Sequence, residues 1–442
     1  MCGPTAPGAR DVFGEGLRAA RADRRSFLTL AGAGGATLLF SSAAAAAPVK
    51  PAASRRRSYV LVVDGCRPDE ITTTLTPNLA ALRAGGTNFP RAKSVPVMET
   101  IPNHVMMMTG VRPPKSGVPA NQIYDRSLGD TRTMDRPTDI TARTVIEQLN
   151  NSGFTTGTVL SKEYLYGVFG DRATHRWEPF PLVPVSGHAP DQFTMDATLA
   201  MVDEFDPHLV FVNLGDIDRF GHSDVTGTTV QLARQLALAD TDLQVGRLIA
   251  MLKATGRWER SAIVVLADHS MDWSLPGSVV TLSPLLEADP TLAGKVEIAD
   301  NGGADLLYFT GPTTERAAAV TRMRDLARSH PGVLAAYVVG APGAPEVGPL
   351  AGDVLVYCRA GWRFSDPGPL DNPIPGNHGH PATLPIPFFL AGGHPSVRRG
   401  TSSADARTLD VAPTLGAFFG LAAPRTDRPD GGIYRYEGVS RL

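Results

Sequence analysis

Tyr59-Val60-Leu61-Val62-Val63-Asp64-Gly65 decides the fold. Five apolar residues in a row, with no polar alternation, suit a strand covered on both faces in a parallel sheet. The run then stops on a carboxylate and a glycine. Working outward, two further segments have the same form. Leu209 to Leu214 ends at Gly215 and is followed by Asp216 and Asp218; Ala262 to Ala267 ends at Asp268-His269. A fourth strand is expected over Thr155 to Leu160. Helical patterns lie between them. Leu79 to Ala84 is opened by Thr76-Pro77-Asn78 and stopped by Gly85-Gly86, and Asn103 to Thr109 follows Pro102. Asp139 to Leu149 and about Val230 to Leu252 complete the set, with residues 215–226 expected as a loop. Strands alternating with helices predict an α/β protein: a doubly wound, mostly parallel sheet with helices on both faces. Ligands bind at the carboxyl ends of strands in such sheets. Here three strands end on residues of metal-ligand type.

Residues 276–370 read differently. Val296 to Ile298, Ala304 to Phe309, a helix over Thr313 to Ser329, Val333 to Val339 and Asp353 to Cys358 predict a small inserted α+β subdomain. It is either a cap over the site or a surface elaboration. The catalytic core is therefore expected in two pieces, 55–275 and 371–442, resuming through His378, the strand Phe388 to Ala391 and a closing helix from Leu409.

Residues 1–47 are read as an address, not as fold. Arg24-Arg25-Ser26-Phe27-Leu28 precedes a short Gly- and Ala-rich apolar stretch, then Ser41-Ser42 and the run Ala43 to Ala47. A basic start, a short apolar middle and small residues at the end make an export signal of the twin-arginine type. The apolar stretch is shorter than the roughly 20 residues that span a bilayer, so no stable membrane span is expected. Periplasmic or extracellular placement follows.

Composition narrows the class. With 42 basic and 44 acidic side chains the net charge is −2, which gives no surface for duplex nucleic acid. An anionic substrate would need local cations instead. Three cysteines exclude a disulfide framework and a CxxC zinc ribbon. Cys66 and Cys358, which remain after removal of the signal, either pair or stay as buried thiols.

The chemistry sits in the strand-end segments. Asp218-Arg219-Phe220-Gly221-His222 sets a carboxylate and an imidazole four residues apart. Asp268-His269 sets them side by side, and Gly376-Asn377-His378-Gly379-His380 offers a histidine between small residues. Mixed imidazole and carboxylate ligands suit zinc. Thr100 stands just before a helix start in Thr100-Ile101-Pro102-Asn103-His104. It is either a nucleophile needing activation or a helix cap. His104, Asp216 and His380 lie near the site without an assigned role.

Together these segments resemble the alkaline phosphatase superfamily, and within it the type I phosphodiesterase/nucleotide pyrophosphatase branch. The resemblance runs from Tyr59 to about Leu421. Thr100 to His104, closing on Thr109-Gly110, is similar to the nucleophile motif, and Gly117 to Asp125 to the segment whose asparagine, here Asn121, contacts a phosphoryl oxygen. Asp218-x-x-Gly221-His222, Asp268-His269 and His378-Gly379 are similar to the metal motifs, and Asp410 to Leu415 to the closing helix. The resemblance implies two Zn²⁺: one on Asp218, His222 and His378, the other on Asp64, Asp268, His269 and the Thr100 oxygen. It implies a phosphothreonine intermediate and a small phosphoric ester as substrate. Three aspartates and a threonine alkoxide balance the four positive charges of two zinc ions. Sulfatases, with Cys or Ser in a C/S-x-P-x-R context, and serine-dependent alkaline phosphatases do not fit Thr100.

Lys162, in Ser161-Lys162-Glu163-Tyr164, departs from the pyrophosphatase pattern. Phosphonoacetate hydrolases and certain threonine-type phosphomonoesterases resemble it there, with a second basic residue two positions on, where this chain has Tyr164. A lysine aimed at phosphorus would favour a dianionic monoester or phosphonate over a diester. A solvated surface lysine is the other reading.

Overall fold

The computed structural model describes residues 55–179, 187–227, 229–424 and 432–442. The export signal expected over 1–47 lies outside them.

Eight strands form the main sheet. In chain order they are β1 (Arg57–Val63), β2 (Thr87–Asn88), β3 (Thr156–Leu160), β4 (His175–Trp177), β5 (Leu209–Leu214), β6 (Ser261–Leu266), β7 (Phe388–Ala391) and β8 (Gly400–Thr401). Their spatial order is β8-β2-β7-β6-β1-β5-β3-β4. The five strands from β6 to β4 are mutually parallel, while β7 runs antiparallel to β6 and β2. The apolar run Tyr59 to Val63 becomes most of β1, and every residue of it is buried. It sits in the middle of the sheet because only a strand with neighbours on both edges and helices on both faces needs to be apolar throughout.

Three differences from the expectations bear on the site. The helix expected at Asp139 begins at Val145, where Thr144 accepts from Glu147 N and the Glu147 carboxylate reaches back to Thr144, a reciprocal cap. Pro137–Asp139 is only a 3₁₀ turn. The helix expected from Asn103 begins one turn earlier, at Thr100. The expected loop 215–226 contains a helix, Asp216–Ser223. One helical turn is what brings side chains four apart onto one face, and this helix packs against the long helix Leu232–Ala254.

A second, antiparallel sheet is built from Val296–Asn301, Ala304–Phe309, Val333–Val338 and Val354–Cys358, with the helix Arg316–Ser329 on it. It has its own apolar cluster, including Leu307, Phe309, Met323 and Val356. Cys358 belongs to that cluster and Cys66 to the main one, and both are free thiols. The turn between its first two strands reaches the catalytic side: Asn301 Oδ1 accepts from Gln122 N at 2.8 Å, and Gly303 N donates to His378 O at 2.7 Å.

Candidate active site

Register places the site. In the parallel pairings Val63 faces Leu214 and Val62 faces Leu266. Asp64, the Asp216–Ser223 helix and Asp268-His269 therefore leave the sheet along one edge. Gly65 has φ +73, and a Cβ there would come within 3.0 Å of the Asp218 Cβ. A glycine is required for these two segments to touch. Gly221 serves the same end, since a Cβ would meet Arg234 Nη1 at 2.5 Å.

Two groups of ligand-type atoms result. In the first, His222 Nε2 lies 3.3 Å from Asp218 Oδ1, His378 Nε2 lies 3.1 Å from His222 Nε2, and His378 Nε2 lies 3.8 Å from Asp218 Oδ1. Ligands tetrahedrally arranged on bonds of about 2.0–2.1 Å stand about 3.3 Å apart. In the second, His269 Nε2 is 3.2 Å from Thr100 Oγ1, 3.4 Å from Asp268 Oδ2 and 3.7 Å from Asp64 Oδ1. The rings of His269 and His378 stack at 3.6 Å, so the two groups adjoin.

Each histidine is turned the same way. His222 Nδ1 bonds Gly376 O, His269 Nδ1 bonds Ser270 O and His378 Nδ1 bonds Met98 O. A carbonyl only accepts, so each Nδ1 carries a proton, which leaves Nε2, turned inward, as the nitrogen open to a metal, the arrangement of metal-ligating imidazoles. Burial, and then neighbouring histidines, holds His378 well below the usual histidine range; burial holds His269 down to about 4. The aspartates complete the picture. Asp64 Oδ1, Asp218 Oδ1 and Asp268 Oδ2 are buried without a hydrogen-bond partner, while their outer oxygens are all bonded. Three orphaned carboxylate oxygens facing neutral imidazole lone pairs are costly without cations. The donor set fits two divalent cations.

His104 is also close, with Nδ1 3.6 Å from Asp268 Oδ2. It is not free to ligate. Nδ1 donates to Thr100 O at 2.8 Å, and Nε2 accepts from Asn213 Nδ2 at 3.1 Å. Asn213 also donates to Asp64 Oδ2 at 2.8 Å.

Thr100 is the first helical residue, and Glu99 occupies the cap position. The reading of Thr100 as merely a cap therefore lapses. Asn121 is held at two points: its N–H donates to Glu99 Oε2 at 2.7 Å and its Oδ1 accepts from Ile101 N at 2.8 Å. Its Nδ2 donors remain for a ligand. Burial raises the Glu99 carboxyl to about 8. A cavity of about 200 Å³ opens here, lined by Thr100, Asn121, Tyr164, Arg219, His222 and His378 among others.

Lys162 corrects both sequence readings. It is 0% exposed, so it is no surface lysine. Nor does its ammonium line the cavity: it lies 2.8 Å from Asp64 Oδ2 and 2.7 Å from Asp218 Oδ2, one aspartate from each group. Burial disfavours its charge, but Asp218 and Asp64 outweigh that and raise its pKa. Local sequence could not show this, because its partners lie on two other strand ends.

Three supporting residues were not singled out from the sequence. Asn213 orients Asp64 and His104. Arg234, fully buried, bonds Glu70, Gly65 O and Ile217 O, tying together the segments that carry Asp64 and Asp218. Glu99 sets Asn121. Of the unassigned residues, Asp216 pairs with His188 at 3.0 Å and His380 with Asp272 at 3.0 Å. Neither enters the two groups.

Comparison with known proteins gives a consistent result. Residues 59–380 match the family described as type I phosphodiesterase / nucleotide pyrophosphatase. The human ectonucleotide pyrophosphatase/phosphodiesterase family member 5 is 23% identical over 379 residues, covering 81% of this chain and 73% of that protein. Bovine bis(5'-adenosyl)-triphosphatase is 21% identical over 374 residues, covering 81% and 77%. Among solved structures, murine ectonucleotide pyrophosphatase/phosphodiesterase 5, in an inactive form in complex with AMP, superposes with TM-score 0.68 at 18% identity, covering 84% of this chain and 97% of that one. Phosphonoacetate hydrolase from Sinorhizobium meliloti 1021, in complex with phosphonoformate, gives TM-score 0.61 at 19% identity, covering 83% and 95%.

Proposed function

The chain belongs to the type I phosphodiesterase / nucleotide pyrophosphatase family, and from that premise we propose an exported two-zinc hydrolase of small phosphoric esters that works through a phosphothreonine at Thr100. The observation that carries this reading is the convergence of three orphaned aspartate oxygens and three inward imidazole lone pairs around the Thr100 hydroxyl. Asp218, His222 and His378 would hold one ion, and Asp64, Asp268, His269 and the Thr100 oxygen the other. The imidazole–carboxylate mix suits zinc. Bound there, the ions supply Lewis-acid stabilisation of developing negative charge.

The chain's own residues do the rest. Thr100 gives up its hydroxyl proton to solvent and its Oγ forms a bond to phosphorus as the bond to the leaving oxygen (the leaving carbon in a phosphonate) breaks, the leaving atom taking up a proton. Water then displaces the threonine oxygen, so each cycle converts an ester and water into an alcohol and a phosphate. Asn121 Nδ2 donates to a non-bridging phosphoryl oxygen. Lys162 holds Asp64 and Asp218 in register. Asn301 and Gly302 close one side of the cavity, which supports reading the second sheet as a cap. Export rests on the sequence of residues 1–47, and is checked by sequencing the N-terminus of the protein recovered outside the cytoplasm.

The named activities of the relatives support a small phosphoric ester or phosphonate as substrate. Lys162 favours a second reading within that class. Its charge lies behind the two ligand groups, where three aspartates and a Thr100 alkoxide would balance two zinc ions, so Lys162 adds one positive charge to that set. That surplus suits a dianionic monoester or phosphonate. The test is a rate comparison on zinc-loaded protein with p-nitrophenyl phosphate, the p-nitrophenyl ester of thymidine monophosphate, and phosphonoacetate. Thr100→Ala is expected to lower turnover of every hydrolysed substrate by at least 10³-fold, the order seen when a nucleophile is removed, while zinc content stays at two per chain. Activity surviving Thr100→Ala would overturn the mechanism, and His378→Ala that keeps both ions would overturn the ligand assignment.

A further inference from the structure

Two cations lie beside Tyr164, and they are differently placed. The Lys162 ammonium is 5.9 Å from the ring centre and spends its charge on Asp64 and Asp218. The Arg219 guanidinium is 5.6 Å from the same ring. Among the described residues its one side-chain hydrogen bond is Nη2 to Tyr164 Oη at 3.3 Å, and its Nε is buried without a partner. Among the described residues it forms no ion pair; the aspartates nearest in effect, Asp218 and Asp64, already face Lys162. A guanidinium carries five donors in a planar fork, so most of its bonding capacity is unspent.

Its position gives that capacity a use. Arg219 follows Asp218 directly on the Asp216–Ser223 helix, and among the described residues it is the one lysine or arginine lining the cavity that holds Thr100 and Asn121. The bond to the Tyr164 hydroxyl, with the ring alongside, holds one end of the fork, which limits the rotamer freedom lost when a ligand binds. The phosphoryl group already has Thr100, Asn121 and the two ligand groups. The cavity, about 200 Å³, joins Thr100, Asn121 and Arg219 in one space.

We propose that Arg219 binds a second anionic group of the substrate, a carboxylate or a further phosphate attached close to the reacting phosphorus. The proposal rests on the reading of the site as a phosphoryl-transfer centre and narrows its substrate class. Either anion accepts two parallel N–H bonds from the fork, so the shared chemistry is a compact oxyanion.

The test uses the zinc-loaded Thr100→Ala full chain, which binds without turning over, and calorimetric titration. Two ligand pairs differ only in the second anion or its count: phosphonoacetate against phosphonoacetamide, and ADP against AMP. The expected result is a preference for the more anionic member of at least one pair, reduced tenfold or more by adding Arg219→Gln. The pair that responds identifies the carboxylate or the phosphate as the source. Arg219→Lys keeps the charge without the fork and is expected to lose several-fold of the same preference; it serves as the readout if the glutamine variant does not fold. Equal weakening of both members of each pair would overturn the proposal and make Arg219 a phosphoryl contact. No preference in the parent protein would overturn it as well. If none of the four ligands binds, the phosphoryl-site reading itself fails and the proposal with it.

Discussion

Replacing Lys162 by methionine keeps most of the unbranched apolar stem, one atom shorter, and removes the charge. In the metal-free protein this leaves Asp64 and Asp218, both buried, facing each other without the cation between them. Removing one partner of a buried ion pair costs about 3–5 kcal/mol, because the remaining charge is uncompensated. Unfolding entropy of about 2.1 cal/mol/K per residue, over the roughly 390 residues after the expected signal, gives about 0.8 kcal/mol/K. A loss of about 4 kcal/mol then lowers Tm by about 5 °C. Saturating zinc would engage the inner oxygens of the same two aspartates and offset much of this. The gain in Tm on adding zinc is therefore larger in Lys162→Met than in the parent protein. The assay is differential scanning calorimetry of chelator-stripped and zinc-loaded samples of both. A stripped Lys162→Met protein melting within about 1 °C of the parent would refute the bridging role, as would equal zinc-induced gains.

Two other outcomes follow from buried groups. Burial, then its neighbours Asp366 and Asp371, raises the Asp300 carboxyl to about 6. The folded chain thus holds this proton between about pH 4 and pH 6 where the unfolded chain has lost it, and stability contributed by the group falls as pH rises through that window. Asp300→Asn is expected to raise stability by on the order of 2 kcal/mol at pH 8, at ~1.4 kcal/mol per pKa unit, and by little at pH 4; a gain independent of pH in chemical denaturation would contradict this. Burial also pushes the thiols of Cys66 and Cys358 well up, so neither is expected to react with Ellman's reagent at pH 8 until the chain unfolds. A fast-reacting thiol in the native protein would show that one of the two apolar clusters opens.

The strands were legible because a continuous apolar run has one economical home, the interior of a parallel sheet. Strand-end aspartates were legible for the same reason, since a carboxylate that ends a buried strand must lie at the sheet's edge. The Asp216–Ser223 helix was not: Asp216, Asp218 and Gly221 are poor helix formers, and tertiary packing overrode their propensity. The early start at Thr100 was hidden by Pro102, which suits the first turn of a helix as well as its first residue. Lys162 was misread in direction because its partners are set by the register of β1 and β5. Arg219 passed as a spacer between two ligands, since nothing local distinguishes a guanidinium with spare donors from a solvated one.

The two groups of ligands are scattered along the chain. Gly65 N reaches Asp268 across 203 residues, and His222 meets His378 across 156. No half of the polypeptide owns a complete ligand set, and no early hairpin or helical pair could assemble one. Closing such long loops is entropically slow before the contacts reward it, so on the proposed ligand assignment high-affinity zinc uptake is expected late in folding, once β6 and the His378 segment have both docked. Stopped-flow release of a zinc indicator during refolding should lag the recovery of helical signal.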